Sequence, residues 1–291
     1  MNIIRYFNII LCIILLCVLL SIKLKKHENF KNNIGNIPKK IWTFWDGEIP
    51  DMINKCINTW KIHNPTYEII ILNRENISNY LSKLDIKNLK HISKIQHLSD
   101  IIRVNILSKY GGFWSDASII CYNSYDYFIN LQKEKNVEFI GYYINNDTEY
   151  PIIENWFFGC VPNSKLINDW KKSLMNSQKY KSKQKYIKSL ENNTNLDKIS
   201  DKNYLWMHCA LQYCLQNNKN KYRYYVMSAC DSPFKYLCNN NWEHIKSFKD
   251  IINCNKNNNC KEIYNPFIKL RGGEREYILR NNIDIFNNIN S

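Results

Sequence analysis

Between Ser93 and Ser118 the chain reads SKIQHLSDIIRVNILSKYGGFWSDAS, and no other stretch constrains its fold as tightly. Ile95, Leu98, Ile102 and Ile106 fall at helical spacing, which predicts a helix over Ser93–Tyr110 with one apolar stripe. Gly111-Gly112 stops it, as expected of residues that take up the left-handed conformation after a helix. Phe113–Tyr122 (FWSDASIICY) then predicts a strand of aromatic and β-branched residues with an acid, Asp116, inside it. Helix, tight turn and strand in immediate succession suit a layered α/β protein.

The flanking sequence repeats the alternation. Lys40–Trp45 (KIWTFW) predicts a strand and Met52–His63 a helix. That helix closes at His63-Asn64-Pro65, because a residue before proline avoids the helical region. Tyr67–Leu72 predicts a second buried strand and Glu75–Leu84 a second helix. The order β-α-β-α implies a three-layer sandwich on a mostly parallel sheet. Val137–Tyr143 and Trp156–Cys160 add strands; Leu166–Met175 and Tyr204–Leu215 add helices. Residues 176–203 and 217–222 read as polar loops. The C-terminal third reads as irregular, with Asn265-Pro266 and Gly272-Gly273 as breakers.

Composition removes other classes. The 291 residues include 20 Tyr, 12 Phe and 8 Trp but only 8 Gly and 7 Pro. That excludes collagen-like and low-complexity chains and supplies ample surface for a core. The net charge of +14 invites a polyanionic partner. Yet the lysines are dispersed among asparagines, and no zinc-finger spacing, RNP-type aromatic motif or basic helix accompanies them. The expectation is therefore no nucleic-acid partner, with most of the excess on a solvated surface.

Phe7–Ile22 carries no charge and, with Tyr6 and Leu24, gives about 17 to 19 apolar residues, the lower bound for a membrane-spanning helix. Arg5 precedes it; Lys23, Lys25 and Lys26 follow. No small-x-small cleavage site ends it, so an uncleaved anchor is expected over a signal peptide. The expected organisation is an anchor over 1–25, a polar stem over 26–36 and a catalytic domain over 37–291. Flanking charge alone would keep the body cytoplasmic. Short N-terminal tails commonly stay cytoplasmic, which makes the body lumenal. The sequons at Asn76, Asn146 and Asn192 permit a lumenal Golgi or ER location. Nine cysteines follow the apolar segment; Cys209/Cys214 and Cys254/Cys260 read either as disulfides or as small buried hydrophobes.

The chemistry-bearing residues cluster in the opening stretch. Asp100 and Arg103 are three apart and so neighbours on one helix face. Asp116 is placed towards the carboxyl edge of a parallel sheet, where ligands of open α/β folds bind. An acid there suits a divalent cation bridging phosphate oxygens. A surface ion pair and a strand-end aspartate explain the same spacing equally well.

The run SDIIRVNILSKYGGFWSDASI resembles the signature of glycosyltransferase family 32, in particular its capsular-polysaccharide-synthesis branch, related to α-1,6-mannosyltransferase-like proteins. Ile37-Pro38-Lys39-Lys40-Ile41-Trp42, Asn155-Trp156-Phe157, Tyr204-Leu-Trp-Met-His208 and Pro266-Phe-Ile-Lys269-Leu270 extend the resemblance to about Ile37–Leu270. It implies a GT-A (Rossmann-like) fold, a nucleotide-sugar donor (UDP- or GDP-linked), a glycan, glycoprotein or glycolipid acceptor, Mn²⁺ or Mg²⁺, and retention of anomeric configuration. Carried over, Asp116 is the first acid of the metal motif, and Ser118 stands where a second acid is usual. His208 is a candidate for a further metal or diphosphate ligand, the alternative being a satisfied core histidine on the Tyr204–Leu215 helix. Asp100 and Arg103 contact the donor, and Trp42, Thr43 and Phe44 hold the base. Asn155 or Glu154 lies beside the anomeric carbon. Ser118 also motivates an alternative, a non-catalytic sugar- or nucleotide-binding relic of the same fold.

Overall fold

The computed structural model describes residues 34–286 apart from 90, 91, 93, 145–148, 219 and 220. The expected anchor, Phe7–Ile22, lies outside these residues. Among the described residues no helix is long and apolar enough to cross a membrane. The chain divides between Gly35 and Asn36, and the elements below belong to the second unit.

Strands are β1 (Lys40–Phe44), β2 (Glu68–Leu72), β3 (Gly112–Ser115), β4 (Ile119–Cys121), β5 (Phe139–Tyr143), β6 (Ile153–Cys160), β7 (Tyr224–Ser228) and β8 (Phe267–Lys269). Helices are α1 (Asp51–His63), α2 (Lys83–Leu89), α3 (Ile95–Tyr110), α4 (Asp126–Lys135), α5 (Lys165–Asn176), α6 (Lys183–Glu191), α7 (Trp206–Asn217), α8 (Lys235–Cys238), α9 (His244–Lys256), α10 (Cys260–Ile263) and α11 (Gly272–Arg280). Six strands form one sheet in the order β2-β1-β3-β6-β5-β7. β1 runs parallel to β2 and β3, and β5 parallel to β7. Only β6 is reversed, pairing antiparallel with β3 and β5. The mostly parallel sandwich implied by the β-α-β-α alternation is present.

The central strands are buried on both faces, as sheets covered by helices require. Trp114 and Phe158 share a core with α3, α5 and α7. Phe113 and Phe157 face an aromatic cluster, in which Phe157 lies 4.6 Å from Phe128 and 4.7 Å from Phe267 between ring centroids. Each such pair adds about 0.5–1.5 kcal/mol beyond area burial.

Four expectations change. The Glu75–Leu84 helix is replaced by a single 3₁₀ turn at Ile77–Asn79 before α2. Asn73 Oδ1 accepts from the backbone N–H groups of Glu75 and Asn76, and Asn76 Nδ2 donates to the Ile71 carbonyl. Such local bonds compete with a helix. The Phe113–Tyr122 strand is two strands, broken at Asp116-Ala117-Ser118 by a turn that the Ile119 N–H closes on the Asp116 carbonyl. Residues 176–203 contain α6, which buries Tyr186, Ile187 and Leu190. The C-terminal third is ordered: β8 pairs with β4 in a small second sheet, and α11 opens on a capping box between Arg271 and Glu274.

Candidate active site

The sheet's carboxyl edge opens into a cleft of about 310 Å³. One end holds Phe44, Trp45 and Asp46, where β1 runs out. The other holds Asp100, Arg103, Asp116, Ser118, Asn155, Lys269 and Arg275. Gly111-Gly112 sets the height of Asp116. Gly112 has φ +93°, and a Cβ there would lie 2.7 Å from the Lys40 carbonyl oxygen. Only glycine lets β3 approach β1 this closely in that conformation. The Asp116 N–H then donates to the Trp156 carbonyl at 2.8 Å, which fixes the turn against β6.

Asp100 and Arg103 are both buried, one turn apart on α3. Asp100 Oδ1 accepts from Asn155 Nδ2 at 3.1 Å, and Oδ2 accepts from Trp206 Nε1 at 2.9 Å. Arg103 Nη2 stands 3.3 Å from Asp100 Oδ1. Burial pushes the Asp100 carboxyl above its ordinary value, against the opposing pull of Arg103 and Trp206. Arg103 also donates to the Asn155 carbonyl, lies 3.6 Å from Asp116 Oδ1 and stacks over the Trp114 ring at 4.9 Å. The expected Asp100–Arg103 pair therefore exists, but as a buried strut between α3, β6 and α7 rather than a surface bridge.

Asp116 is the more accessible acid, with 32% of its side chain exposed. Its Oδ1 accepts from Trp114 Nε1 at 3.1 Å. Lys269 Nζ, from the end of β8, donates to Asp116 Oδ2 at 3.2 Å and to Ser118 Oγ at 2.7 Å. Ser118 Oγ also takes a bond from Arg275 Nη1 at 3.0 Å and donates to the Leu270 carbonyl at 2.7 Å. Burial raises the Asp116 carboxyl, but Lys269 and Arg103 outweigh it and hold the group below the ordinary carboxylate value. Burial lowers the Lys269 ammonium, against the pull of Asp116.

Of the expected site residues, Asp116, Ser118, Asn155, Asp100, Arg103 and Phe44 come together around the cleft. Trp42 and Thr43 are fully buried inside the sheet and are not among the lining residues. Trp42 Nε1 donates to the Gly111 carbonyl at 3.0 Å, so it braces the glycine turn, and the aromatic end of the cleft falls to Phe44 and Trp45. Glu154 and His208 also lie outside the lining. They sit 3.9 Å apart, and the buried His208 Nδ1 has no partner among the described residues.

The residues present do not fit the expected divalent cation. Such an ion needs several oxygen ligands. Of the oxygens that Asp116 and Ser118 could offer it, Asp116 Oδ2 and Ser118 Oγ are already held by Lys269. His208 does not join them, and among the described residues no three His, Cys, Asp or Glu side chains gather as a metal site.

Lys269 and Arg275 carry signals visible in sequence only in retrospect. A lysine inside the apolar run Pro266-Phe-Ile-Lys269-Leu270 is unusual, since lysine is almost never fully buried unless paired. Nothing local points to its partner.

A family match makes the chain an enzyme of the glycosyltransferase class. The chain belongs to the capsular polysaccharide synthesis protein family, whose pattern matches residues 16–265. No curated protein matches the chain. Among solved structures it is distantly similar to the PaToxG glycosyltransferase, at 15% identity and TM-score 0.44 over 93% of this chain and 94% of that one. It is similar to a glycosyltransferase involved in glycosylation of the major capsid of PBCV-1, at 11% identity and TM-score 0.42 over 84% and 98%. It is also similar to the UDP-bound glycosyltransferase domain of the YGT toxin, at 10% identity and TM-score 0.45 over 85% and 89%.

Proposed function

We propose that this enzyme moves a hexose from a UDP- or GDP-sugar to a glycan, glycoprotein or glycolipid acceptor. The observation that carries the reading is the meeting of Asp116, Arg103, Lys269 and Arg275 at the carboxyl edge of a mostly parallel sheet, beside the aromatic end of the same cleft. Phe44 and Trp45 offer apolar faces for a nucleotide base, and the cations offer charge for its diphosphate. Cleavage of the sugar–phosphate bond builds negative charge on the departing diphosphate. Donors already fixed in place stabilise that charge without reorganising. Lys269, Arg103 and Arg275 are so fixed, because each is tied to a carboxylate, a hydroxyl or a backbone carbonyl. Asn155, held by Asp100, is the polar group we place nearest the anomeric carbon. Asp100, with both oxygens engaged, acts as a positioning residue for Asn155 and Arg103.

The same proposal includes an anchor at Phe7–Ile22 and a lumenal body. The Cys230–Cys238 and Cys254–Cys260 disulfides support the second part, since such bonds persist in oxidising compartments. Cys209 and Cys214 are not paired with each other; both are buried thiols.

The test uses the full chain in detergent with a panel of UDP- and GDP-sugars, read by product mass, with and without Mn²⁺. At least one donor should be hydrolysed or transferred. Asp116→Asn should reduce that turnover by about 10²-fold or more, by slackening Lys269 and Arg103 where charge develops. Unchanged turnover in the variant removes Asp116 from the mechanism. Donor binding without any turnover returns the reading to a binding relic of the fold.

A further inference from the structure

We infer that Lys269 is this enzyme's built-in substitute for the bridging metal, and that the donor's diphosphate binds to Lys269, Arg275 and Arg103 without a divalent cation. The inference rests on the nucleotide-sugar reading and goes beyond it. It also goes beyond the family match, which ends at residue 265, before both Lys269 and Arg275.

The geometry supports it at three points. First, a divalent cation needs several oxygen ligands, best supplied by carboxylates. Here the second acid is Ser118, a neutral hydroxyl and a weaker ligand. Its oxygen is occupied by two cationic donors, Lys269 Nζ at 2.7 Å and Arg275 Nη1 at 3.0 Å. Second, an ammonium has three donors. Two of those on Lys269 hold Asp116 and Ser118, and among the described residues the third has no partner. Lys269 lines the cleft, so that donor is available to an anion there. Third, the charge is already balanced for an anion. Asp46 is paired with Arg74 at 2.6 Å. The remaining carboxylates, Asp100 and Asp116, face three cations, Arg103, Lys269 and Arg275, leaving one positive charge in excess. A divalent cation at Asp116 Oδ2 would meet the Lys269 ammonium at contact distance. It would have to displace the Lys269 ammonium from Asp116.

The placement of Lys269 is built, not incidental. Its own backbone N–H donates to the Pro233 carbonyl at 3.0 Å, and its carbonyl accepts from the buried Tyr236 hydroxyl at 2.9 Å. β8 is further pinned by antiparallel pairing with β4, which starts one residue after Ser118. Ser118 therefore serves the site as an acceptor that orients two cations, a task for which a hydroxyl is sufficient.

The experiment is a calorimetric titration of the full chain with inorganic pyrophosphate, UDP and GDP, first in EDTA and then in excess Mn²⁺. The expected result is binding of at least one probe in EDTA, changed by Mn²⁺ less than about tenfold, the equivalent of about 1.4 kcal/mol. Lys269→Met should weaken that binding about tenfold or more, as loss of a charged hydrogen-bond partner does. Lys269→Arg should retain most of it. Binding that appears only with Mn²⁺, or that Lys269→Met leaves unchanged while the variant keeps its melting transition, overturns the inference and leaves the donor reading standing. No binding of any probe under either condition overturns the donor reading, and the inference falls with it. The wild-type comparison in EDTA and Mn²⁺ decides even if Lys269→Met fails to fold.

Discussion

A lysine 5% exposed, at the end of a strand whose other residues are Phe267 and Ile268, must answer to a carboxylate, and Asp116 is that partner. The two are 153 residues apart in the chain. Asp100, Arg103 and Asp116 were readable because they lie within one helix-turn-strand unit with short spacings. Lys269 and Arg275 were not, because their spacing to Asp116 is set by how β8 folds back on β4. The same scale yields a pH prediction at His97. Burial, with Lys183 and Lys94 nearby, lowers this imidazole from 6.5 to about 4. The unfolded chain therefore takes up a proton on His97 near pH 6.5, and the folded chain only near pH 4. Between those values the unfolded state binds more protons, so stability falls as pH drops through that window. Denaturation midpoints measured across the window should show this slope, and His97→Gln should flatten it.

At the scale of elements, glycines with and without steric reasons stand side by side. Gly112 combines φ +93° with a Cβ position 2.7 Å from a backbone oxygen of β1. Gly112→Ala should cost about 2–3 kcal/mol, through strain and displacement of β3. Gly272, in the first turn of α11, has open space around its Cβ position. Gly272→Ala should change stability little or raise it by about 0.4–1 kcal/mol, by restricting the unfolded chain. Urea denaturation of the two variants separates these outcomes; equal losses would mean the close β3–β1 approach is not rigid. Periodicity located α1, α3, α5, α7 and the strands they flank, because each buries one continuous stripe. It failed at Glu75–Leu84, where asparagine side chains capture backbone groups. It also failed at α6, where the apolar stripe of Tyr186, Ile187 and Leu190 is diluted by lysines. The break at Asp116–Ser118 is marked by the turn formers Ser115, Asp116 and Ser118, but the aromatic and β-branched residues on both sides make the run read as one strand.

For the whole molecule, the proposed lumenal body is testable through its sequons, which the structure ranks. Asn192 is exposed just beyond α6. Asn76 is tied by both side-chain ends, to Asn73 N–H and to the Ile71 carbonyl. Asn146 lies outside the described residues. A lumenal body should carry a glycan on Asn192 and none on Asn76. Asn192→Gln should then remove a glycosidase-sensitive mobility shift that Asn76→Gln leaves in place. Absence of any shift in a glycosylating host would remove this support for a lumenal body.

By itself the sequence determined what local spacing can encode. It specified the succession of β1, α1, β2, α3 and β3, the mostly parallel sandwich, the glycine turn, and the acid and arginine on either side of it. Those properties rest on residues within about twenty positions of one another, where periodicity and backbone preference act directly. Tertiary structure alone decided which cation meets Asp116, that Trp42 braces the turn, and that Glu154 and His208 stand outside the cleft. Each of these depends on strand pairing between distant segments. Pairing is chosen by burial of the whole core, a property that no short window of residues contains.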